Sequence, residues 1–333
     1  MSNQSFRRCD HARQWAWAVR LLADRRWHSM AELARASSIP VRCWRPALEA
    51  FARMGAPLQF DTARGGRALR ELSPLPASGL LRRGVRLPMP VETHFLLDST
   101  NSHLLRALGA GDVRLRACVA EQQSQGHGRR GRAWLTPLGG GLALSVAVPM
   151  GRLRDRRALP LRVGVGVAEA LSRLGLRQVG IKWPNDLVVH GRKLGGLLIE
   201  GGSAGFVIGV GLNHHGFVSA GSRVDPGIGQ PFTSLMDELG VRAPSRERVA
   251  VVMLEAIEAM LRGTQDDWAE RFARYDALCD RPVRVVGETA WHGIARGITA
   301  DGALRVETID GERLCHAGEV SIRMRAHEQD GRA

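Results

Sequence analysis

A glycine- and arginine-rich segment, residues 122–134, has the composition expected of a loop that holds an anion. It contains three glycines at alternating or near-alternating positions and three arginines within four residues, Arg129, Arg130 and Arg132. Glycines let a backbone wrap around a ligand and present its N–H groups, and a guanidinium can bind a carboxylate or phosphate through two hydrogen bonds. The segment lacks the GxxxxGK[ST] pattern of a P-loop, and no helix follows it as a dinucleotide fingerprint requires. The alternative is a mobile basic surface loop or an RNA contact, and spacing alone slightly favours that alternative.

A second segment holds both lysines of the chain. Of 47 basic residues only Lys182 and Lys193 are lysine, so arginine serves wherever a generic cation suffices. A compact ammonium differs from a planar guanidinium, and the two lysines therefore mark positions where arginine would not substitute. We expect them to point at a ligand carboxyl or phosphate group. The alternatives are a strand-end cation paired with Asp186 for Lys182 and an exposed hairpin residue for Lys193.

A third segment, residues 98–102, reads Asp-Ser-Thr-Asn-Ser and precedes Leu104-Leu105. Ser99 or Thr100 could simply cap a helix. Alternatively, the hydroxyl and amide groups of Ser99, Thr100 and Asn101 could bind a polar part of a ligand.

The elements that must position these segments alternate between strands and helices from residue 91 onward. Periodicity predicts helices over 157–174, 246–261 and 265–275, and a hairpin turn at His190-Gly191. The strands of this region are predicted at residues 113–120, 142–148, 179–182, 187–189, 194–200 and 206–212. Residues 281–323 then predict a small all-β barrel with strands at 283–286, 293–298, 304–308 and 320–322.

The N-terminal region predicts a separate module. Residues 11–56 contain three short helical patterns, and the stretch 58–72, broken by Gly65-Gly66, could form a wing, which together are typical of a winged helix-turn-helix. Residues 1–90 carry 16 arginines and 6 acidic residues, or +10 of the total net charge of +14, as expected of a nucleic-acid module. The candidate DNA contacts are Arg42, Arg45 and Arg53. A three-helix packing unit without DNA is the alternative. Pro46 weakens the DNA interpretation because it removes a backbone donor from the recognition helix, and it is harmless only within the first turn of that helix.

These patterns divide the chain into a winged-helix-like domain (1–72), a proline-rich linker (73–90), a catalytic domain (91–278) and a C-terminal domain (279–325). The composition, with 44% hydrophobic residues, excludes disorder and collagen as the whole answer. No run of eighteen apolar residues and no signal-peptide core occur, so we expect a cytoplasmic protein without a membrane span. Five scattered cysteines without a CxxC argue against a disulfide framework and a zinc site, and we expect no bound metal.

Four motifs in this order resemble those of the biotin–protein ligases. They are Asp98-Ser99-Thr100-Asn101, Gly126-His127-Gly128-Arg129-Arg130-Gly131-Arg132-Ala133-Trp134, Lys182-Trp183-Pro184-Asn185-Asp186 and Arg192-Lys193-Leu194-Gly195-Gly196. The resemblance covers residues 93–323 and includes Gly209-Val210-Gly211-Leu212-Asn213. The N-terminal module stands where bifunctional members, of the biotin operon repressor type, carry a winged helix. The implied fold class is α+β: a winged helix-turn-helix, a central mixed-sheet biotin/lipoate ligase-type domain and a C-terminal SH3-like barrel.

The resemblance implies a two-step reaction in which biotin and ATP, with Mg²⁺, form biotinyl-5′-AMP before biotin passes to a lysine of a biotin carboxyl carrier protein. It implies that Lys193 and Arg129 are catalytic. Biotin would be bound by Ser99, Thr100, Asn101, Gln123, His127, Gly128, Arg129 and Lys193. ATP and the adenylate would be bound by Arg130, Arg132, Trp134, Lys182, Asn185, Asp186 and Asn213.

The same resemblance implies operator DNA as a possible second partner and a homodimer when the adenylate is bound. The alternatives are a lipoate-type ligase and a biotin-sensing DNA-binding regulator without ligase activity. His127 stands where the best-known bacterial members have arginine, so a titrating group replaces a permanent cation. We expect residues 122–136 to be mobile without ligand, because such a loop lacks regular backbone hydrogen-bond partners.

Overall fold

A computed structural model describes residues 21–22, 24–53, 58–68, 87–152, 156–215, 230–263, 267–287, 289–317 and 321–324. Most of the first predicted helix, most of the proline-rich linker and Cys9 lie outside these residues. Within the described part of the chain, no helix is both long and apolar enough to cross a membrane.

In the described ranges 24–53 and 58–68 of the N-terminal region, two helices and a β-hairpin pack around buried side chains. The elements are α1 (Met30–Ser37), α2 (Val41–Arg53), β1 (Leu58–Asp61) and β2 (Gly65–Ala68). Ser29 begins α1 with a reciprocal capping box to Glu32. The hairpin turn lies at residues 62–64, where the Asp61 carboxylate accepts hydrogen bonds from two backbone N–H groups. The expectation that Gly65-Gly66 interrupts this stretch is therefore wrong, since both glycines belong to β2.

Gly65 serves close packing instead of a turn. Its φ is +91°, and a Cβ at this position would lie 1.9 Å from the carbonyl oxygen of His28. Pro46 is the sixth residue of α2, beyond the first helical turn in which a proline removes no intrahelical bond. Pro46 therefore removes one backbone hydrogen-bond donor from the interior of α2, and its placement in the harmless first turn is not observed.

The central domain is built on one mixed seven-stranded sheet in the order β3-β4-β5-β9-β8-β7-β6. Only β3 and β4 are parallel, and the other neighbours are antiparallel. The strands are β3 (Val91–Leu97), β4 (Arg116–Gln123), β5 (Gly141–Pro149), β6 (Val179–Lys182), β7 (Asp186–Val189), β8 (Arg192–Gly202) and β9 (Gly205–Asn213). Strand β3 was not predicted, and β4 begins three residues later than expected. The His190-Gly191 hairpin is confirmed, with both residues at positive φ.

Among the described residues, five α-helices accompany this sheet: α3 (Thr100–Gly109), α4 (Leu159–Arg173), α5 (Leu235–Leu239), α6 (Arg246–Arg262) and α7 (Trp268–Ala273). Helix α4 is buried on nearly every side and packs against α6. Helices α4 to α7 and the sheet enclose the main hydrophobic core, whereas α3 packs on a smaller cluster that includes Cys118 and Ala147.

The C-terminal region is a five-stranded antiparallel sheet in the order β13-β12-β11-β10-β14. Its strands are β10 (Pro282–Val286), β11 (Ala290–Ile298), β12 (Leu304–Thr308), β13 (Gly311–Cys315) and β14 (Ser321–Met324). Strand β13 was not predicted, because four of its five residues are exposed and give no apolar alternation. Buried residues such as Val283 and Leu304 join the main core. Trp183 also donates a hydrogen bond of 3.0 Å to the Gly302 carbonyl oxygen, which ties this sheet to the lysine-containing segment.

Candidate active site

The three segments singled out in the sequence meet around one cavity of about 390 Å³. It opens above strands β5, β8 and β9, between the N-terminus of α3 and the glycine–arginine loop. Fourteen of the fifteen predicted ligand-binding residues line it: Ser99, Thr100, Asn101, Gln123, His127, Gly128, Arg129, Arg130, Arg132, Trp134, Lys182, Asn185, Asp186 and Lys193.

One end of the cavity is a cluster of uncharged polar side chains. The Thr100 backbone N–H donates to Gln123 Oε1 at 2.8 Å, and the Thr100 hydroxyl lies 3.1 Å from the same oxygen. Ser145 Oγ lies 2.7 Å from Thr100 Oγ1 and 2.6 Å from Asn101 Oδ1. Ser99 caps α3 by accepting a hydrogen bond from Ser102 N–H, so the capping interpretation holds for Ser99 while its neighbours face the cavity.

His127 interacts with a carboxylate at this end. Its Nε2 lies 3.3 Å from Glu200 Oε2, and Asn101 Nδ2 donates to the same oxygen at 2.8 Å. Gly209 makes room for Asn101, because a Cβ at Gly209 would lie 2.3 Å from Asn101 Oδ1. The imidazole thus belongs to a polar network that fixes Asn101.

The glycine–arginine loop has a defined backbone. Gly128 N–H donates to the Arg132 carbonyl at 2.7 Å, and Trp134 N–H donates to the Gly126 carbonyl at 2.8 Å. A short 3₁₀ turn spans Arg129–Gly131 between these bonds. The expectation that this backbone lacks regular hydrogen-bond partners is therefore wrong.

Arg129 is a half-buried cation that reaches across the cavity to Asn185, with its Nη1 donating to Asn185 Oδ1 at 3.2 Å. Burial lowers the pKa of this guanidinium, and the positive charges of Arg130 and Arg132 lower its pKa further, against the opposite effect of Asp186. Within the described residues no carboxylate lies within 4 Å of it. A bound anion would compensate this charge, so the position favours a carboxylate or phosphate ligand.

Lys193 points into the cavity. Its Nζ lies 2.8 Å from Asp186 Oδ1, and its side chain is 18% exposed. The same Nζ is 5.6 Å from the centre of the Trp134 ring, within the range of a cation–π contact. The interpretation of Lys193 as an exposed hairpin cation is therefore wrong.

Trp134 lies over strand β9 and provides a flat apolar wall beside these charges. A Cβ at Gly211 would lie 2.4 Å from the indole ring, so only glycine lets the ring approach the strand. A planar aromatic group of a ligand could stack at such a wall.

Asn213 is the predicted site residue that does not line the cavity. It is buried, and its Nδ2 donates to the Thr233 carbonyl at 3.1 Å and lies 3.4 Å from the Lys193 carbonyl. Asn213 thus stabilises the backbone at Lys193 and at Thr233 through its side-chain amide.

Sequence reasoning missed Ser145, which lines the cavity, and Glu200, which lies outside the lining and holds Asn101. It also missed a buried ion pair between Glu121 and Arg246. Ser145 is the single polar residue in the apolar run of β5, a signal that could have identified it. Arg246 Nη1 lies 2.8 Å from Glu121 Oε1, which also accepts a hydrogen bond from Gly139 N–H. Glu121 and Arg246 are 125 residues apart, so no local pattern relates them.

The candidate DNA contacts lie on α2, and no residue of this helix lines the cavity. Arg42 and Arg45 are exposed, and Arg45 Nε lies 3.1 Å from Glu49 Oε1. The side chain of Arg53 lies outside the described residues.

Two family models match the chain: the biotin/lipoate A/B protein ligase family over residues 96–213 and the biotin protein ligase C-terminal domain over residues 278–323. The bifunctional ligase/repressor BirA of Escherichia coli is 35% identical over 245 residues, which cover 68% of this chain and 72% of that protein. The biotin–[acetyl-CoA-carboxylase] ligase of Mycobacterium tuberculosis is 34% identical over 236 residues, or 67% of this chain and 85% of that protein.

A solved structure of the biotin protein ligase from Aquifex aeolicus, in complex with biotin and ATP, superposes with a TM-score of 0.61 at 25% identity. The match covers 71% of this chain and 99% of that chain. Sequence and fold similarity extend through the central and C-terminal regions that build the cavity. On these grounds the chain belongs to the biotin protein ligase family.

Proposed function

We propose that this protein is an ATP-dependent biotin ligase that makes biotinyl-5′-AMP and transfers biotin to a lysine of a biotin carboxyl carrier protein. The observation that supports this most directly is the convergence of two cations, Arg129 and Lys193, with an uncharged polar cluster and an indole wall in a single cavity. The chemical groups of the two substrates match these features. Biotin has a polar ring system for the polar cluster, ATP has a flat base for the indole wall, and the biotin carboxylate and the ATP phosphates are anions for the two cations.

In the first step a carboxylate oxygen of biotin attacks the α-phosphorus of ATP. A new C–O–P linkage forms as the bond to the β-phosphate oxygen breaks, and pyrophosphate leaves with the released electron pair. Both reactants are anions, so approach requires fixed positive charge. Lys193 and Arg129 supply it from the protein, and ATP enters as its Mg²⁺ complex.

We assign the binding roles by the chemistry of each end of the cavity. Thr100, Asn101, Gln123 and the backbone near Gly128 would hold the polar rings of biotin, with Ser99 fixing the helix N-terminus and His127 fixing Asn101 through Glu200. The nucleotide would lie against Trp134, with its phosphates facing Arg130, Arg132 and Lys182. Asn185 and Asp186 orient the two principal cations, and Asn213 supports Lys193 through the backbone.

In the second step the unprotonated ε-amine of the carrier lysine attacks the acyl carbon of biotinyl-5′-AMP. The amide bond forms, AMP leaves with the electron pair of the broken C–O bond, and the excess proton passes to solvent. Arg129 would hold the adenylate until the carrier arrives, because its half-buried charge gains a partner in the phosphate.

A lipoate-type ligase is the closest enzyme alternative. Lipoate's dithiolane ring has no hydrogen-bonding groups to match the polar cluster of Thr100, Asn101, Gln123 and Ser145, and these groups would lose partners around it. The cluster therefore favours biotin. Calorimetry with biotin and with lipoate distinguishes the two: heat from lipoate at biotin-like affinity would contradict the assignment.

For the flanking regions we propose the domain division 1–72, 73–90, 91–278 and 279–325, with an N-terminal winged helix-turn-helix and an SH3-like C-terminal barrel. Support for the first comes from the two helices followed by a hairpin, and for the second from five antiparallel strands with one buried face. The N-terminal domain would bind operator DNA as an adenylate-dependent dimer. The alternative is a DNA-binding regulator without ligase activity, and biotin labelling of a carrier domain would exclude this alternative.

The test is ATP-dependent labelling of a carrier domain by the full chain, detected with streptavidin. We expect labelling only with biotin, MgATP and the carrier's acceptor lysine present. A carrier whose acceptor lysine is replaced by arginine is the matched control. A folded protein that binds biotin but never labels the carrier would refute the ligase and leave the regulator.

A further inference from the structure

A cluster of metal-binding side chains lies on the same sheet face as the cavity's polar end but outside the cavity lining. One ring nitrogen each of His94 and His103 and the Sγ of Cys118 lie within 4.8 Å of one another. Glu92 adjoins them, with its Oε2 2.9 Å from His103 Nε2 and 3.4 Å from His94 Nε2. None of these four residues lines the cavity.

The fold brings them together from three elements. Glu92 and His94 are two residues apart on β3, so their side chains share one face of the sheet. Cys118 is the parallel-register partner of Glu92 on β4, and its side chain therefore lies on that same face. Helix α3 covers this face and contributes His103.

From this geometry we infer that His94, His103 and Cys118 form a zinc-binding site, with the Glu92 carboxylate as fourth ligand or as acceptor for an imidazole N–H. Thiolate and imidazole are ligands that select Zn²⁺ over Mg²⁺ and Ca²⁺. A blue-copper site also uses two imidazoles and one thiolate, but its further ligand is a weakly bound axial thioether. Here the neighbouring group is the Glu92 carboxylate, which distinguishes the two ligand sets.

The dimensions fit a tetrahedral ion after a small contraction. Zn–N and Zn–S bonds of about 2.0–2.3 Å place tetrahedral ligands roughly 3.3–3.8 Å apart. Atoms within 4.8 Å of one another need to close by about 1 Å, which side-chain rotation can supply. His94 and His103 are 32% and 27% exposed, so an ion can reach the site from solvent, while Cys118 is fully buried.

The charges around the cluster also suit a cation. Arg116 Nη1 lies 2.7 Å from Glu92 Oε1 and 2.9 Å from Asp112 Oδ2, so its positive charge is balanced by two carboxylates. Burial raises the pKa of the Cys118 thiol, so without a metal the thiol keeps its proton. Zinc binding would release that proton to solvent and leave a thiolate on the ion.

A zinc ion at this site would link helix α3 to strands β3 and β4. The link would lie one helical turn after the end of α3 that faces the cavity. Thr100 and Asn101 occupy the first turn of the helix, and His103 follows them. We therefore assign the site a structural role that fixes the biotin-facing helix terminus, with no part in the reaction.

The experiment uses the full chain, freed of metal by a chelator and titrated with Co²⁺ and then Zn²⁺. We expect one equivalent of Co²⁺ to give thiolate-to-cobalt charge-transfer absorption, and Zn²⁺ to abolish it by displacement. Cys118→Ser should eliminate the absorption. His103→Gln should weaken Co²⁺ binding at least about tenfold, since even residues that only orient a metal ligand contribute 10- to 100-fold.

Matched controls are Cys279→Ser and His190→Gln, which change exposed residues of the same types and should leave the absorption unchanged. If Cys118→Ser fails to fold, His103→Gln carries the test by itself. Absence of the absorption in the parent protein, or its persistence at unchanged affinity in His103→Gln, would overturn the proposal. Neither result depends on the ligase activity.

Discussion

Replacing Lys193 with arginine preserves the charge at the centre of the cavity and changes only its shape. The ammonium lies 2.8 Å from Asp186 Oδ1 and 5.6 Å from the centre of the Trp134 ring. A planar guanidinium on a longer stem cannot place its charge at the same point between these neighbours. We therefore expect the substitution to displace the charge that faces the reacting carboxyl and α-phosphate.

The magnitude follows from two independent estimates. A displacement of about 1 Å in a positioned group can cost roughly 10²-fold in rate. Loss of one aligned charge-stabilising donor costs about 3–4 kcal/mol, which at about 1.36 kcal/mol per tenfold also exceeds a hundredfold. Lys193→Arg should thus form biotinyl-5′-AMP at least about a hundredfold more slowly.

The assay is pyrophosphate release from biotin and MgATP without carrier, with a melting curve to confirm folding. The matched control is Arg305→Lys, the reverse exchange at an exposed residue paired with Glu312, which should change neither rate nor melting temperature. Near-normal release by a well-folded Lys193→Arg variant would refute the reasoning and reduce Lys193 to a generic cation.

Four further predictions follow from the same structure. Arg129→Gly should let biotinyl-5′-AMP escape and label bystander lysines on added protein; strict carrier specificity in this variant would refute adenylate retention. Gly211→Ala should raise the KM for ATP at least about tenfold because its Cβ would meet the Trp134 ring, whereas an unchanged KM would place the base elsewhere. Arg246→Met should cost about 3–5 kcal/mol in the free energy of unfolding by leaving Glu121 charged and buried, and adding Glu121→Gln should restore most of it; equal stability of the single and double variants would contradict this. Binding of the full chain to biotin operon DNA, with biotin and MgATP present, should fall steeply between low and moderate salt, and a gel shift without a salt-sensitive band would leave the N-terminal module without a DNA role.

The parts of the site that could be predicted are those written in contiguous sequence. Composition identifies the glycine–arginine segment and the two lysines. The turn-forming residues His190-Gly191 predict the hairpin. Most strands of the central sheet follow from local patterns that the structure confirms, whereas the mixed sheet itself is an implication of the family resemblance. Local sequence patterns are thus sufficient where the functional residues lie close together in one segment of the chain.

What could not be predicted depends on contacts between distant segments. The pairing of Glu121 with Arg246 spans 125 residues, and the His94–His103–Cys118 cluster joins two strands and a helix. Strand β13 is too exposed for periodicity to show it. The glycine–arginine loop obtains its backbone order from bonds within itself, whereas glycine content by itself suggests mobility.

The central claim is that this cavity activates biotin with ATP, and carrier-free pyrophosphate release tests it most directly. With biotin and MgATP the parent protein should release a burst of about one pyrophosphate per active site. It should retain biotinyl-5′-AMP if, as we propose, the half-buried Arg129 charge pairs with the adenylate phosphate in the absence of an acceptor. Lipoate in place of biotin should give no burst. A folded protein that releases no pyrophosphate with biotin, or releases it equally with lipoate, would contradict the account.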